Sequence, residues 1–207
     1  MHVRDILRVG PVIPVVTIDD AAQAPGLARA LLTGGIRVIE VTMRTPAALD
    51  AVRAIRRSVP EAIVGVGTLL DAEQIGTALD AGAQFAVSPG FDPVLVAAAA
   101  AAGLAYLPGI QTVSEAMAAR RAGIDTLKFF PAKAAGGTYV LDQIRPVMPE
   151  LAFCPTGGIG AEEAAAYLAL PNVLCVGGSF PAPGDAIKAG DWARIEALAR
   201  QATALRK

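Results

Sequence analysis

The sequence predicts an α/β fold of parallel strands covered by helices, and three observations carry that prediction. Short β-branched apolar runs recur along the chain. Helix-forming segments lie between them, with glycines where those segments end. The runs are apolar on both faces, as parallel strands covered by helices should be. Length and composition agree: 207 residues, 54% of them hydrophobic and 18% charged, support a large core and argue against disorder.

The strand-like runs are Val12–Val16, Val38–Thr42, Ile63–Gly67, Phe85–Ser88, Ala105–Pro108, Thr126–Phe129, Ala152–Thr156 and Leu174–Gly177. Their starts lie roughly 20–27 residues apart, the span of one strand and one crossover helix. Gly34-Gly35, Gly82, Gly103 and Gly123 punctuate helix ends, and Asp71 and Ser114 suit helix starts. The alanine run 97–102 reads as helix, because alanine loses least on becoming helical. Eight such units predict a closed (β/α)8 TIM barrel, one domain spanning residues 1–207. An open doubly wound sheet would carry a glycine fingerprint after its first strand. Thr17-Ile18-Asp19-Asp20 stands there instead, and Gly65-Val66-Gly67-Thr68-Leu69-Leu70 lacks the third glycine.

Composition also removes function classes. A net charge of -1 with 5% aromatics offers neither the basic excess nor the stacking surface of a nucleic-acid binder. Cys154 and Cys175 are too few for a disulfide-stapled scaffold and read as buried core residues. One histidine, His2, rules out a multi-histidine metal site and an internal Ser-His-Asp triad, and it reads as a terminal residue without a role. Arg4, Asp5 and Arg8 interrupt any signal-like apolar run at the start, and the apolar stretch Val94–Ile110, broken by Gly103 and Pro108, is too short for a membrane helix. A cytoplasmic protein is expected.

Chemistry in a barrel gathers at the C-terminal ends of the strands. Lys128 stands in Thr126-Leu127-Lys128-Phe129-Phe130, inside an apolar strand, and it is one of only four lysines. Alternation puts it on the face opposite Leu127 and Phe129. Lysine is rarely buried without a reason, and burial is how enzymes keep a Schiff-base amine neutral and nucleophilic. A structural ion pair is the competing explanation. Glu40 is the matching oddity, mid-strand in Val38-Ile39-Glu40-Val41-Thr42. From the second and sixth runs the two could meet across the interior, as a general acid/base beside an amine or as a structural pair. Arg44 follows the second strand with a fork suited to a carboxylate, although a surface arginine reads the same way. The Thr68 hydroxyl could assist at that anion or cap a helix. Thr156-Gly157-Gly158 and Gly177-Gly178-Ser179 close the last two units, where barrels commonly cradle phosphate with backbone N–H groups. Tyr106, Phe85 and Trp192 read as packing.

Taken in order, these segments resemble the KDPG/KHG aldolase family. The likeness runs through Pro11–Val15, Val38–Thr45, Ile63–Thr68, Gly82–Gly90, Leu107–Ile110, Leu127–Ala132, Phe153–Ile159 and Val176–Ser179, essentially end to end. The resemblance implies a metal- and cofactor-free class I aldolase, usually a homotrimer, on a (β/α)8 barrel. It implies cleavage of 2-dehydro-3-deoxy-6-phosphogluconate (KDPG) to pyruvate and glyceraldehyde 3-phosphate, with possible activity on 4-hydroxy-2-oxoglutarate (KHG). By motif, Lys128 is then the Schiff-base lysine and Glu40 the proton-transferring carboxylate. Arg44 and Thr68 form the pyruvate-carboxylate site, and Pro89, Phe130 and Thr156 are pocket wall. Gly157, Gly158, Gly178 and Ser179 form the phosphate site. Three places depart from the family pattern: Lys133, where relatives often carry an acid, Phe180-Pro181, where they often place tryptophan after the serine, and Met43, a bulk-conserving variation. The competing readings are an aldolase of the same superfamily for the C4 epimer or for phosphate-free 4-hydroxy-2-oxoglutarate, a barrel that binds a phosphorylated sugar without catalysis, and a metal-dependent aldolase.

Overall fold

The computed structural model describes residues 1–205; Arg206 and Lys207, the end of the expected domain, lie outside the described residues. Among the described residues nine strands form: β1 Val12–Val16, β2 Val38–Thr42, β3 Ile63–Gly67, β4 Phe85–Val87, β5 Ala105–Leu107, β6 Gly109–Ile110, β7 Thr126–Phe129, β8 Ala152–Pro155 and β9 Val176–Gly178. Ten α-helices accompany them among the described residues: α1 Val3–Leu7, α2 Ala24–Thr33, α3 Ala48–Ser58, α4 Glu73–Asp80, α5 Pro93–Ala102, α6 Val113–Arg121, α7 Gly137–Ile144, α8 Ala161–Leu168, α9 Gly184–Ala189 and α10 Trp192–Thr203.

The alternation of strand and helix is as expected, but the closed eight-stranded barrel is not. Six parallel strands, in the order β5-β4-β3-β2-β1-β9, make a curled half-barrel, and β6-β7-β8 make a separate small sheet. Two prolines account for the seams. The fifth expected strand breaks at Pro108, whose carbonyl accepts from Lys128 N–H at 2.9 Å while its ring nitrogen has no hydrogen to donate. At the other seam, Phe153 donates to Asn172 and Leu174 donates back to Phe153, but Pro155, two residues on and on the same edge, cannot continue the ladder. Among the described residues, the isolated bridges Phe153–Val173 and Thr156–Gly177 are what join the β8 segment to the segment leading into β9.

Strand alternation divides the core in two. Outward residues such as Ile39, Val64, Val66, Leu127 and Phe129 pack against helix residues including Leu27, Leu31, Val52, Ile55 and Ile75. Inward residues Ile13, Val38, Ile63, Phe85, Val87, Leu107, Cys154 and Cys175 form a smaller cluster that the short α1 closes with Val3, Ile6 and Leu7. Ile6 and Leu7 are fully buried; burial of such side chains contributes about 1.5–3 kcal/mol each. His2 has a role after all: its Nδ1 accepts from Arg4 N–H at 3.2 Å and caps α1. Arg4 then pairs with Asp125 at 2.8 Å, fastening the plug to the base of β7.

Local signals hold with small shifts. The alanine run lies in α5, which begins at an Asp92 cap and ends at left-handed Gly103. The α6 cap is Thr112, in a reciprocal capping box with Glu115, and Ser114 falls inside the helix. Asp71 precedes α4 by two residues, and Ala72 holds the cap position. Both cysteines are free and buried, and burial pushes the Cys175 thiol well up, which suits an inert core residue.

Candidate active site

Lys128 and Glu40 meet inside the fold. They come from different sheets, yet Lys128 Nζ lies 3.4 Å from Glu40 Oε1. Lys128 is 6% exposed and Glu40 4%. The room for Glu40 comes from Gly67 on the neighbouring strand, since a Cβ there would stand 2.7 Å from Glu40 Cγ and Cδ and closer still to Oε1. Lys128 Nζ also lies 5.3 Å from the centre of the Phe130 ring, a cation–π distance. Phe130 is two residues on and on the same face, half-buried at the strand end.

The strand ends above this pair carry the other predicted residues. Met43 N–H donates to Gly67 O at 2.9 Å, which holds the chain after β2 beside the chain after β3. Arg44 and Thr68 follow directly. Arg44 is exposed and makes no ion pair among the described residues. Thr68 is half-buried at φ 67°, the one non-glycine residue in left-handed backbone among the described residues. That conformation is costly for a β-branched residue and marks functional turns more often than caps. It caps no helix: α4 starts at Glu73 behind Ala72.

Thr156 is buried, and its hydroxyl donates to Cys154 O at 3.4 Å. It occupies space left by Gly177, where a Cβ would come within 3.1 Å of Thr156 Cγ2. The bridge between Thr156 and Gly177 sets the two glycine turns side by side. Gly157 and Gly158 follow one partner at φ 102° and 74°, and buried Gly178 and exposed Ser179 follow the other. Phe180 packs close over Gly178, 2.9 Å from a Cβ placed there. Pro89 is half-buried at the end of β4.

Lys133 is not a second active amine. It is exposed and pairs with Glu163 at 2.6 Å. That hydrogen bond raises the lysine's pKa and lowers the glutamate's, and Gly160 N–H also donates to the carboxylate. A cleft of about 380 Å³ opens at the opposite end of the strands, lined by His2, Gly103, Ala122 and Asp125 among others, and none of the predicted residues reaches it.

Several residues escaped the sequence reading. Thr42, 1% exposed and on the face of Glu40, donates to Val16 O at 3.1 Å, so its contact with Thr17 at 2.9 Å is donated by the Thr17 hydroxyl. Ser88 and Tyr106 are joined at 2.6 Å in the core, and burial pushes the tyrosine up to about 12 against the lowering effect of the Ser88 bond. A serine ending an apolar strand was the available signal, but a hydroxyl's partner is visible only in three dimensions.

Parallel strands under helices, with a buried lysine and carboxylate in contact and glycine turns at the ends of β8 and β9, place the chain in the class of β/α enzymes. The family model "KDPG and KHG aldolase" matches residues 3–198. A 2-dehydro-3-deoxy-phosphogluconate aldolase of Pseudoalteromonas atlantica is 50% identical over 201 residues, 97% of this chain and 94% of the relative. Among solved structures, a KDPG aldolase from Legionella pneumophila, with pyruvate captured at low pH as a covalent carbinolamine intermediate, superposes with a TM-score of 0.96. Its identity is 41%, over 98% of each chain. The Zymomonas mobilis ZM4 enzyme with 3-phosphoglycerate superposes with a TM-score of 0.93 at 42% identity, covering 98% of this chain and 95% of that one. The chain belongs to the KDPG and KHG aldolase family. Among the described residues no helix is long and apolar enough to cross a membrane.

Proposed function

We propose that this chain is a Schiff-base aldolase that cleaves KDPG to pyruvate and glyceraldehyde 3-phosphate. The observation that carries the reading is the buried Lys128 amine 3.4 Å from Glu40. In the proposed reaction neutral Lys128 adds to the C2 ketone, and the carbinolamine loses water to give a protonated imine. Glu40, acting through a water, takes the proton of the C4 hydroxyl. The C3–C4 electron pair flows into the imine, and glyceraldehyde 3-phosphate departs. The enamine is protonated at C3, and hydrolysis releases pyruvate and the free amine. Arg44 and Thr68 bind the carboxylate; Pro89, Phe130 and Thr156 wall the pocket. The backbone of Gly157, Gly158, Gly178 and Ser179 receives the phosphate, in keeping with N–H groups uncovered by side chains. The family's second named substrate, KHG, needs no phosphate contact and is a side activity in this reading. We also place the protein in the cytoplasm as a homotrimer.

The test is borohydride reduction in the presence of pyruvate, read by intact mass and by the modified peptide. The reading predicts one adduct on Lys128 and none in Lys128→Met, which remains folded and loses turnover. An unmodified wild-type protein, or an active Lys128→Met, overturns it. Comparing kcat/KM on KDPG and its C4 epimer, with lactate dehydrogenase reporting pyruvate, tests substrate choice: a preference for the epimer would overturn the KDPG assignment. A light-scattering mass other than three chains refutes the trimer.

A further inference from the structure

We infer that Ser88 and Tyr106 are positioning residues for the Lys128–Glu40 pair, acting through the Pro89–Gly90 turn; the inference rests on the aldolase reading above. The starting point is that the two reacting groups belong to different sheets. No continuous ladder fixes their 3.4 Å separation, so it depends on what clamps the seams.

At the Pro108 seam the clamp is a short relay. Ser88, 1% exposed at the end of β4, donates its single hydroxyl hydrogen to Gly90 O at 2.6 Å. Its contact with the Tyr106 hydroxyl, also 2.6 Å, must therefore be donated by the tyrosine. Tyr106 lies on β5, 8% exposed, and is held in the core beside α5. The relay pins the Pro89–Gly90 peptide. That peptide lies directly on Gly109: a Cβ there would be 2.9 Å from Gly90 N and closer to Pro89 C and O. Gly109 is the strand partner of Lys128. Side chains of the six-stranded sheet thus press, through one turn, on the strand beside the nucleophile. A hydroxyl chain in the core with both bonds at 2.6 Å is a stiff connection, because each hydrogen has one acceptor.

The experiment measures kcat, KM and thermal stability on KDPG for full-length Ser88→Ala, Ser88→Thr and Tyr106→Phe, and repeats Ser88→Ala in a Glu40→Gln background. Ser88→Ala is expected to lower kcat about tenfold or more, since sub-ångström misplacement of reacting groups is costly, with KM changed less than about twofold. Ser88→Thr, which keeps the hydroxyl, restores most of the rate. In the Glu40→Gln background the Ser88→Ala loss disappears, because the alignment it protects no longer matters. A residue that merely stabilises the fold would give the same loss in both backgrounds. Wild-type kcat in folded Ser88→Ala, a change confined to KM, or an undiminished loss in the Glu40→Gln background overturns the inference. Should Ser88→Ala not fold, Tyr106→Phe decides: it keeps the Ser88–Gly90 bond, a several-fold fall in kcat is expected, and an unchanged kcat refutes it. Failure of the aldolase reading looks different, since the wild type would then trap no pyruvate.

Discussion

A methyl group added at Gly67 should disable the enzyme while leaving it folded. A Cβ there would stand 2.7 Å from Glu40 Cγ and Cδ, where ordinary contact begins at 3.4 Å. The strand cannot retreat, because Gly67 is paired with Thr42 and its carbonyl accepts from Met43 at 2.9 Å. The carboxylate must yield by about 0.7 Å, the difference between those two distances, and its oxygen by more. A displacement near one ångström at reacting groups costs on the order of 100-fold in rate. Overpacking costs about 1–3 kcal/mol, and in a protein of this size each kcal/mol lowers Tm by about 2–4 °C. The assay is kcat/KM on KDPG with lactate dehydrogenase reporting pyruvate, beside a thermal melt. Gly76→Ala is the control: it lies exposed in α4 with nothing within 4 Å of its Cβ. It should keep wild-type turnover and gain up to about 1 kcal/mol of stability from helix propensity. A folded Gly67→Ala with wild-type kcat/KM would refute the claim that Glu40 needs this space to work.

Three further outcomes follow from the same geometry. Glu40→Gln should lower kcat by about 10²–10⁴ while pyruvate is still trapped on Lys128, because imine formation needs the amine and cleavage needs the base; a fall of less than tenfold would remove Glu40 from proton transfer. Thr68→Gly should release backbone strain at φ 67° and raise stability by about 1 kcal/mol after the entropy of glycine is counted, while KM rises through loss of a carboxylate contact; an unchanged KM would return Thr68 to a purely structural role. Tyr106, with its pKa held at about 12 when folded against 10.0 when free, keeps its proton in the native state after the unfolded chain has lost it. Its contribution is therefore complete below pH 10 and lost between 10 and 12, worth about 2–3 kcal/mol. Denaturant melts over that range should fall less steeply for Tyr106→Phe, and parallel curves would contradict the assignment.

How much of this was legible without coordinates depended on the range of the interaction. Repeating units, helix ends and the face of Lys128 follow from local rules, so the placement of Leu127 and Phe129 outward with Lys128 inward was readable from alternation. Glu40 stood out because a carboxylate inside an apolar strand needs a partner. What stayed hidden was how strands join. Pro108 and Pro155 each lie in a run that reads as strand, yet each removes a donor on one edge, and only the pairing shows which edge. That is why the closed barrel was expected and two sheets were found. The α1 plug was missed because a five-residue helix has no periodicity to detect, and its stability comes from burial of Ile6 and Leu7. Gly67 and Gly177 read as strand glycines, while the side chains they accommodate, Glu40 and Thr156, come from other strands.

The short α1 plugs one end of the fold, beneath the buried pair. Val3, Ile6, Leu7 and Phe85 fill the interior below Glu40 and Lys128, and Phe85 lies tight over Gly65. On the proposed mechanism, this packing closes the α1 end to both fragments of the split sugar acid. On the mechanism proposed above, the fragment joined to Lys128 would lie nearest this plugged end.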